Sequence, residues 1–361
     1  MSAGRGLALR AGLGRVGLAR AALYGLAPAC ALGTFASEIT VGVALAVALG
    51  LGALGAAPFR MLGGPWLLAY AAVWFLMVPV SGNFHEGIGH VWPLAPLLVI
   101  PMLRGVDGVD AEPSIRAGLW AAAGLGLWGA AEGTMREAHG PYSHHLTLAY
   151  ALLPPLGVAL QRRSALALPM VLGVLGSRSS GALVALAVTA VLGVWAGFDE
   201  ARGRSGARWR GPTGALLGMA LTVLGLPFAD PTEVHSRAIL WTGGLRVAQD
   251  GPVGPGGYPA ASALIYDKLE PGFWFPNHAH DSATQVYAVL GPAGWLCALL
   301  LVTAWFEGFG VGAAAGLAGV CVGSLTQDNF GDLEVIRAIT VWGALTACAS
   351  AAVGFRSAAR R

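Results

Sequence analysis

Apolar stretches long enough to cross a bilayer follow one another along nearly the whole of this 361-residue chain, and they decide its class. A hydrocarbon core takes about 20 apolar residues as a helix, with a range of roughly 17–25. Runs that meet or approach this length occur at 19–36, 39–57, 62–80, 91–103, 117–131, 146–160, 164–176, 181–198, 212–229, 285–304, 309–325 and 335–354. Only 11% of the residues are charged, against 55% hydrophobic. Soluble domains carry roughly 25% charge. A chain with less than half of that cannot clothe a globule in polar side chains. This excludes an ordinary soluble enzyme, a disordered tail and a secreted disulfide scaffold, and it argues against a nucleic-acid partner. The expected fold is all-α and polytopic, with about 12 transmembrane helices in a single integral membrane domain over 1–361 and every backbone polar group satisfied inside a helix. The runs 91–103 and 164–176 are short for a span. The first contains Pro93, Pro96 and Pro101, which can bend it.

The distribution of basic residues tests that count. With the N-terminus in the cytoplasm and strict alternation, 16 of the 22 Lys and Arg residues fall on the cytoplasmic side. They include the leader Arg5, Arg10, Arg15 and Arg20 and the cluster Arg202, Arg204, Arg208 and Arg210. Deleting one short run would put that cluster outside, against the positive-inside rule. Both short runs are therefore read as spans, both termini as cytoplasmic, and the basic leader as part of an uncleaved first span. The other face then holds six basic residues (Arg136, Arg178, Arg237, Arg246, Lys268 and Arg337), all eight histidines and one long loop at 230–284. Function concentrates in such loops. The four cysteines, Cys30, Cys297, Cys321 and Cys348, lie in apolar runs without a CxxC neighbour and read as small hydrophobes.

Two motifs fail on spacing or context. Gly124-Leu-Gly-Leu-Trp-Gly129 fits GxGxxG but lies inside an apolar run with no strand before it, so helix packing explains it. His85 and His90 are five apart, about 140° around a helix, and cannot share a metal from one face. That segment is expected to be a solvated loop, and His139, His144 and His145 an interfacial segment. No metal or cofactor is implied.

Three features resist a bland reading. Arg178 sits in the tight turn Gly176-Ser-Arg-Ser-Ser-Gly181 between two apolar runs, where a permanent charge is costly unless it meets an anion, and a guanidinium fork suits phosphate. Arg237 opens an amphipathic stretch and shares a helical face with Trp241, whereas Arg246 falls half a turn out of phase. His280 precedes Ser282-Ala-Thr-Gln285, which reads as a capping box that starts a helix near 282. It hangs beside a helix N-terminus, a setting that favours anions, and can accept a proton at neutral pH. Asn277, His278 and Asp281 are its neighbours. Outward arginines, a candidate base, a mobile loop and apolar walls together suit an already activated, lipid-linked polyanionic donor.

These stretches resemble those of the O-antigen ligase and polymerase superfamily. Gly176–Val184 is similar to its SR-G turn, Ser236–Trp241 to its arginine–tryptophan helix start, and Gly251-Pro-Val-Gly-Pro-Gly-Gly-Tyr258 to its P-x-x-G-x-G turn. His278-Ala-His-Asp281 resembles its HxHN segment, with Asp where Asn is usual, and Gly291 follows His280 as in its H-x10-G pattern. The likeness is densest over 176–295. It implies a GT-C-like glycosyltransferase of the bacterial inner membrane that moves a glycan from undecaprenyl pyrophosphate to a lipid or glycan acceptor on the periplasmic side, without metal or nucleotide. Arg178 and Arg237 would then bind the departing pyrophosphate, and His280 would be the general base. Arg246, His278, Asp281 and Trp241 would line the substrate. Ligation to lipid A–core is preferred over repeat-unit polymerisation. A transporter or flippase of a lipid-linked substrate is the competing class, but its charges would sit at mid-membrane.

Overall fold

The computed structural model describes residues 2–57, 61–138, 140–142, 144–202, 210–225, 231–272, 276 and 278–358. His139, Asn277, Arg60, Arg204, Arg208, Arg360 and Arg361 lie outside the described residues. The described chain is all-helical, with 79% helix and no strand. Its helices in order are α1 (Ser2–Tyr24), α2 (Leu26–Ala31), α3 (Thr34–Ala53), α4 (Gly64–Ser81), α5 (Phe84–Val91), α6 (Pro96–Arg104), α7 (Glu112–Gly133), α8 (His145–Gln161), α9 (Ala167–Gly176), α10 (Ser180–Ala201), α11 (Arg210–Gly225), α12 (Pro231–Val247), α13 (Tyr258–Leu269), α14 (Ser282–Gly308), α15 (Val311–Gly323) and α16 (Leu333–Ala358).

Six helical segments are long and apolar enough to cross a membrane: Phe35–Ala53, Gly64–Ser81, Phe84–Arg104, Ser180–Ala201, Ser282–Gly308 and Leu333–Ser350. Shorter apolar helices occupy Ala167–Gly176, Gly211–Val223 and Val311–Gly323. The peripheral helices keep their apolar side chains exposed. Only 28% of the Phe35–Ala53 window and 17% of Gly64–Ser81 are buried, against 67% of Leu333–Ser350. Exposed apolar surface on that scale marks a face that meets lipid rather than water. The centre is α8, where every residue from Thr147 to Ala159 is buried, flanked by α7, α9, α10 and α15. A helix that is apolar all round belongs in such a place.

Two expectations are corrected. The segment at 84–91 is not a loop but helix α5, started by Asn83, whose side chain accepts from the Glu86 N–H at 3.2 Å. Its His90 stacks on Trp74 at 4.2 Å while His85 stays exposed. The long loop at 230–284 is largely two helices, α12 and α13, despite its Pro and Gly content. A small apolar cluster of Val247, Tyr258, Ala279 and Ala288 holds them to the start of α14. Two of the three GxGxxG glycines pack as expected, for a Cβ at Gly126 would strike the Pro169 carbonyl oxygen at 2.3 Å, and one at Gly129 would sit 3.3 Å from the Cα of Gly173, whereas Gly124 faces open space.

Polar contacts gather at two opposite ends of the helices. At one end Arg162 grips Glu112 with two bonds of 2.7 and 2.9 Å, Arg116 joins the same carboxylate at 3.0 Å, and Arg20 donates to the Gly108 carbonyl at 2.7 Å. At the other end Arg337, 1% exposed, donates to Ser37 at 2.6 Å and to Glu38 at 3.3 Å. Arg136 pairs there with Glu132 at 2.6 Å, and Thr147 donates to Asp332 at 2.5 Å. The segments that contain Arg178, Arg237 and His280 meet at this second end.

Candidate functional site

The site is built on the connection between α15 and α16, residues 324–332, to which three separated parts of the chain are tied. Arg237 on α12 donates through Nη1 to the Thr326 carbonyl at 2.6 Å. Ser282, the first residue of α14, donates its N–H to the Ser324 carbonyl at 3.0 Å, and its hydroxyl oxygen accepts from the Phe330 N–H at 3.0 Å. Gly181, at the start of α10, lies so close that a Cβ there would sit 2.7 Å from Thr326 Oγ1 and 3.2 Å from the Tyr150 hydroxyl. Any larger residue would push the turn that carries Arg178 away from this connection. The 324–330 segment is thus where the arginine turn and the arginine helix, both at Thr326, and the histidine strap, at Ser324 and Phe330, converge.

Backbone strain falls on the same residues. Among the described non-glycine residues, only Arg163, Arg178 and His280 have positive φ, at 53°, 55° and 57°. Left-handed backbone costs a residue with a Cβ about 1–2 kcal/mol, and such strain persists where surrounding contacts over-determine it, commonly at functional sites. For Arg178 those contacts are its N–H to the Leu175 carbonyl, the buried Ser177 before it, and Ser179 after it, which caps α10 by accepting from the Ala182 N–H at 3.3 Å. Its exposed guanidinium reaches the Gly133 carbonyl at 2.7 Å and has no acidic partner among the described residues.

His280 is held by its own strap. Its N–H donates to Nδ1 of His278 at 3.2 Å, and the two rings lie 4.1 Å apart. The Ala279 N–H donates to Gln285 at 2.8 Å. The cap of α14 is one residue earlier than the sequence suggests: Asp281, not Ser282, accepts from the Thr284 N–H, at 2.7 Å. Ser282 is freed to bind the 324–332 connection, and Gln285 reaches back to the strap instead of closing a capping box. Burial, then the neighbouring His278 and Arg237, push the His280 pKa down to about 3. Burial, with His144 and Arg237, lowers His278 to about 4. Both imidazoles are neutral at physiological pH. Burial raises the carboxyl of Asp281, and that of Asp328 rises to about 7.

The Pro/Gly turn has a definite task. Pro292 lacks an N–H, and Gly291 has φ of 73°, so α14 breaks there and the carbonyls of Ala288 and Val289 lose their helical donors. The turn supplies replacements, with Val253 N–H to Ala288 at 2.9 Å and Gly254 N–H to Val289 at 3.0 Å. The spacing from His280 to Gly291 thus measures the first, unbroken part of α14. An apolar cavity of about 360 Å³ runs beside that helix, from Ser282, Ser324 and Leu325 at the site down to Pro212, Trp305 and Phe306 near the opposite end.

The remaining expected residues divide. His278 and Asp281 join His280, and Trp241 follows Arg237 by one turn with its indole N–H buried. Arg246 sits exposed in the last turn of α12, apart from the Thr326 cluster, as its helical phase requires. His144 caps α8, accepting from the Leu146 N–H at 3.2 Å, and stands within electrostatic reach of both strap histidines. His145 pairs with Glu137 at 3.3 Å. The sequence reading missed residues 324–332 altogether, although Asp328, Asn329 and Asp332, polar residues between two apolar runs, were the available signal. No group of three or more potential metal ligands occurs among the described residues. Compared with known proteins, the chain matches no family model and no curated sequence.

Proposed function

We propose that this protein is a membrane glycosyltransferase that moves a glycan from a polyprenyl pyrophosphate, undecaprenyl pyrophosphate in a bacterium, to an acceptor outside the cytoplasm. The observation that carries the reading is the tie of Arg237 and of the His278–His280 strap to the 324–332 connection, whose Ser324 and Leu325, with Ser282, line one end of the apolar cavity. A lipid pyrophosphate needs both parts, a cationic rim for its head and an apolar channel for its first isoprene units. In the reaction, an acceptor hydroxyl attacks the anomeric carbon and the bond from that carbon to the pyrophosphate oxygen breaks. The hydroxyl proton passes to the neutral His280 imidazole, and undecaprenyl pyrophosphate leaves. Arg178 and Arg237 offset the charge that develops on the leaving group. The depressed His280 pKa makes it a weak base in the empty site, but an arriving pyrophosphate brings negative charge that opposes the effect of Arg237 and raises its basicity toward the useful range near neutrality.

The finer topology belongs to the same proposal. We count α1 with α2, and α5 with α6, each as one pass, and let the remaining long helices alternate between the two sides. This gives twelve passes, with α12 and α13 lying on the histidine side. The positive-inside rule places that side outside, in the periplasm, and both termini in the cytoplasm. The preferred acceptor is lipid A–core, making the protein an O-antigen ligase; a repeat-unit polymerase is the alternative within the same chemistry.

The deciding experiment compares surface polysaccharide and lipid-linked glycan in a strain that lacks the gene. Loss of the long ladder with polymer accumulating on undecaprenyl pyrophosphate supports the ligase. Core carrying a single repeat unit supports the polymerase. An unchanged ladder and lipid pool overturns the proposal, as does lipid transport in reconstituted vesicles that survives both Arg178→Ala and His280→Ala.

A further inference from the structure

A second cleft, of about 660 Å³, lies between the C-terminal half of α12 and the start of α14. Its walls include Arg246, Gln249, Thr284, Tyr287 and Trp295. It touches the apolar cavity at Ala283 and Trp295, which line both. The two spaces differ in chemistry. The cavity is walled by aliphatic and aromatic side chains along its length, whereas the cleft presents a guanidinium, an amide and a hydroxyl beside two aromatic rings. Arg246 makes no hydrogen bond or ion pair with a described residue, so its fork of donors is open to a ligand. The residue lies nine positions beyond Arg237 on α12, about 13 Å along the axis and half a turn around it. Arg246 therefore cannot serve the same phosphate as Arg237.

Sugars suit this mixture. A pyranose ring has an apolar C–H face that packs on Tyr or Trp and an edge of hydroxyls that takes donors and acceptors from Gln, Thr and Arg. An anionic substituent such as a phosphate fits the planar guanidinium. Ala283, which lines both spaces, lies in the first turn of α14, three residues after His280, so the cleft adjoins the strap that carries the base.

We propose that the Arg246–Gln249–Tyr287–Trp295 cleft is the acceptor subsite, which takes an anionic, phosphate-bearing oligosaccharide separately from the donor pyrophosphate at Arg237. This rests on the glycosyltransferase reading and divides its two substrates between two cationic positions on one helix.

The test uses the full-length protein in detergent micelles with two probes. One is inorganic pyrophosphate; the other is the phosphorylated oligosaccharide obtained by deacylating lipopolysaccharide. Binding of each is measured by titration calorimetry. Arg246→Ala should weaken the oligosaccharide by about 10- to 100-fold, the loss expected for charged hydrogen bonds, and leave pyrophosphate unchanged. Gln249→Ala should weaken the oligosaccharide less, and Arg237→Ala should show the reverse selectivity. The inference is overturned if wild type does not bind the oligosaccharide, if pyrophosphate displaces it competitively, or if Arg246→Ala and Gln249→Ala both bind it as wild type does. Failure of the underlying reading looks different: pyrophosphate then binds no better to wild type than to Arg237→Ala.

Discussion

Two clusters at opposite ends of the bundle, one around Glu112 and one around Thr326, hold arginine by different partners. Around Glu112, Arg162 and Arg116 share one carboxylate, so most of their charge is cancelled within the protein. Around Thr326, the guanidinium of Arg237 donates to the Thr326 carbonyl, and that of Arg178 to the Gly133 carbonyl, so backbone carbonyls orient both groups. Neutral, half-buried histidines stand beside Arg237. The first arrangement staples helices together. The second keeps a cation aimed, and it places backbone strain at Arg178 and His280 to do so. The same residue type is structural at one end and proposed to be functional at the other, and its partners make the difference.

The sharpest way to break that comparison is to remove one group from each end and measure glycan transfer from an undecaprenyl-pyrophosphate donor. Removing the proposed base (His280→Ala) or the proposed leaving-group stabiliser (Arg237→Ala) should cost roughly 10²–10⁴-fold. Arg162→Ala should change the rate by less than about 2-fold and lower stability by about 1 kcal/mol, the upper value for a surface ion pair. Equal losses of activity at both ends would end the distinction. Arg246→Ala should cost less than Arg237→Ala, and the loss should appear as a raised KM for acceptor.

The next effect concerns geometry rather than charge. Arg178→Lys keeps the cation but loses the planar fork, so activity should fall by about 10- to 100-fold. Full activity in this variant would show that a point charge suffices at the turn. Gly181→Ala is the companion test. Its new Cβ would crowd Thr326 and the Tyr150 hydroxyl, which should destabilise the protein by about 1–3 kcal/mol and lower activity through the displaced Arg178 turn. A variant with wild-type melting and wild-type rate would show that Thr326 does not brace that turn.

How much of this was legible in the sequence follows from which atoms do the work. Arg178 and Arg237 stand out in the sequence because a charge at a membrane boundary is costly in a chain that is 11% charged, and His280 because it precedes a helix start. The connection at 324–332 could not be found in that way. It acts through the carbonyls of Ser324 and Thr326, which every residue possesses, and through contacts with parts of the chain more than 40 residues distant. The helices α12 and α13 were obscured because Pro and Gly at 251–259 signal irregular backbone, whereas in the fold those residues form one short turn that caps the break in α14. Asp281 shows a one-residue error with a consequence. Taking Ser282 as the cap hides its bonds to the connection, which tie the histidine strap to the same segment as Arg237.

The smallest predicted effect is a change in how stability depends on pH, and it also separates the two ends. His278 and His280 have pKa values lowered to about 4 and about 3. They bind fewer protons folded than unfolded below pH 6.5, so their contribution is complete above that pH and is lost on acidification. Asp328, raised to about 7 by burial and by neighbouring Asp281, acts oppositely. It holds a proton when folded that it releases when unfolded above pH 4, so its contribution is complete in acid and is lost as pH rises through 7. Asp332, also raised by burial, has the same sign. Between pH 4 and 6.5 the carboxyls and the imidazoles therefore offset each other. Asp328→Asn removes one carboxyl and leaves both histidines, so the melting temperature of the variant should fall more steeply than wild type between pH 6.5 and 5. The added slope is bounded by about 1.4 kcal/mol per pH unit for one proton. Glu112→Gln, at the opposite end, should leave the wild-type balance between His278, His280 and Asp328 untouched. If Asp328→Asn and wild type melt with the same slope, Asp328 is ionised throughout that range, and the histidine end lacks the opposing titration that its buried carboxyls supply.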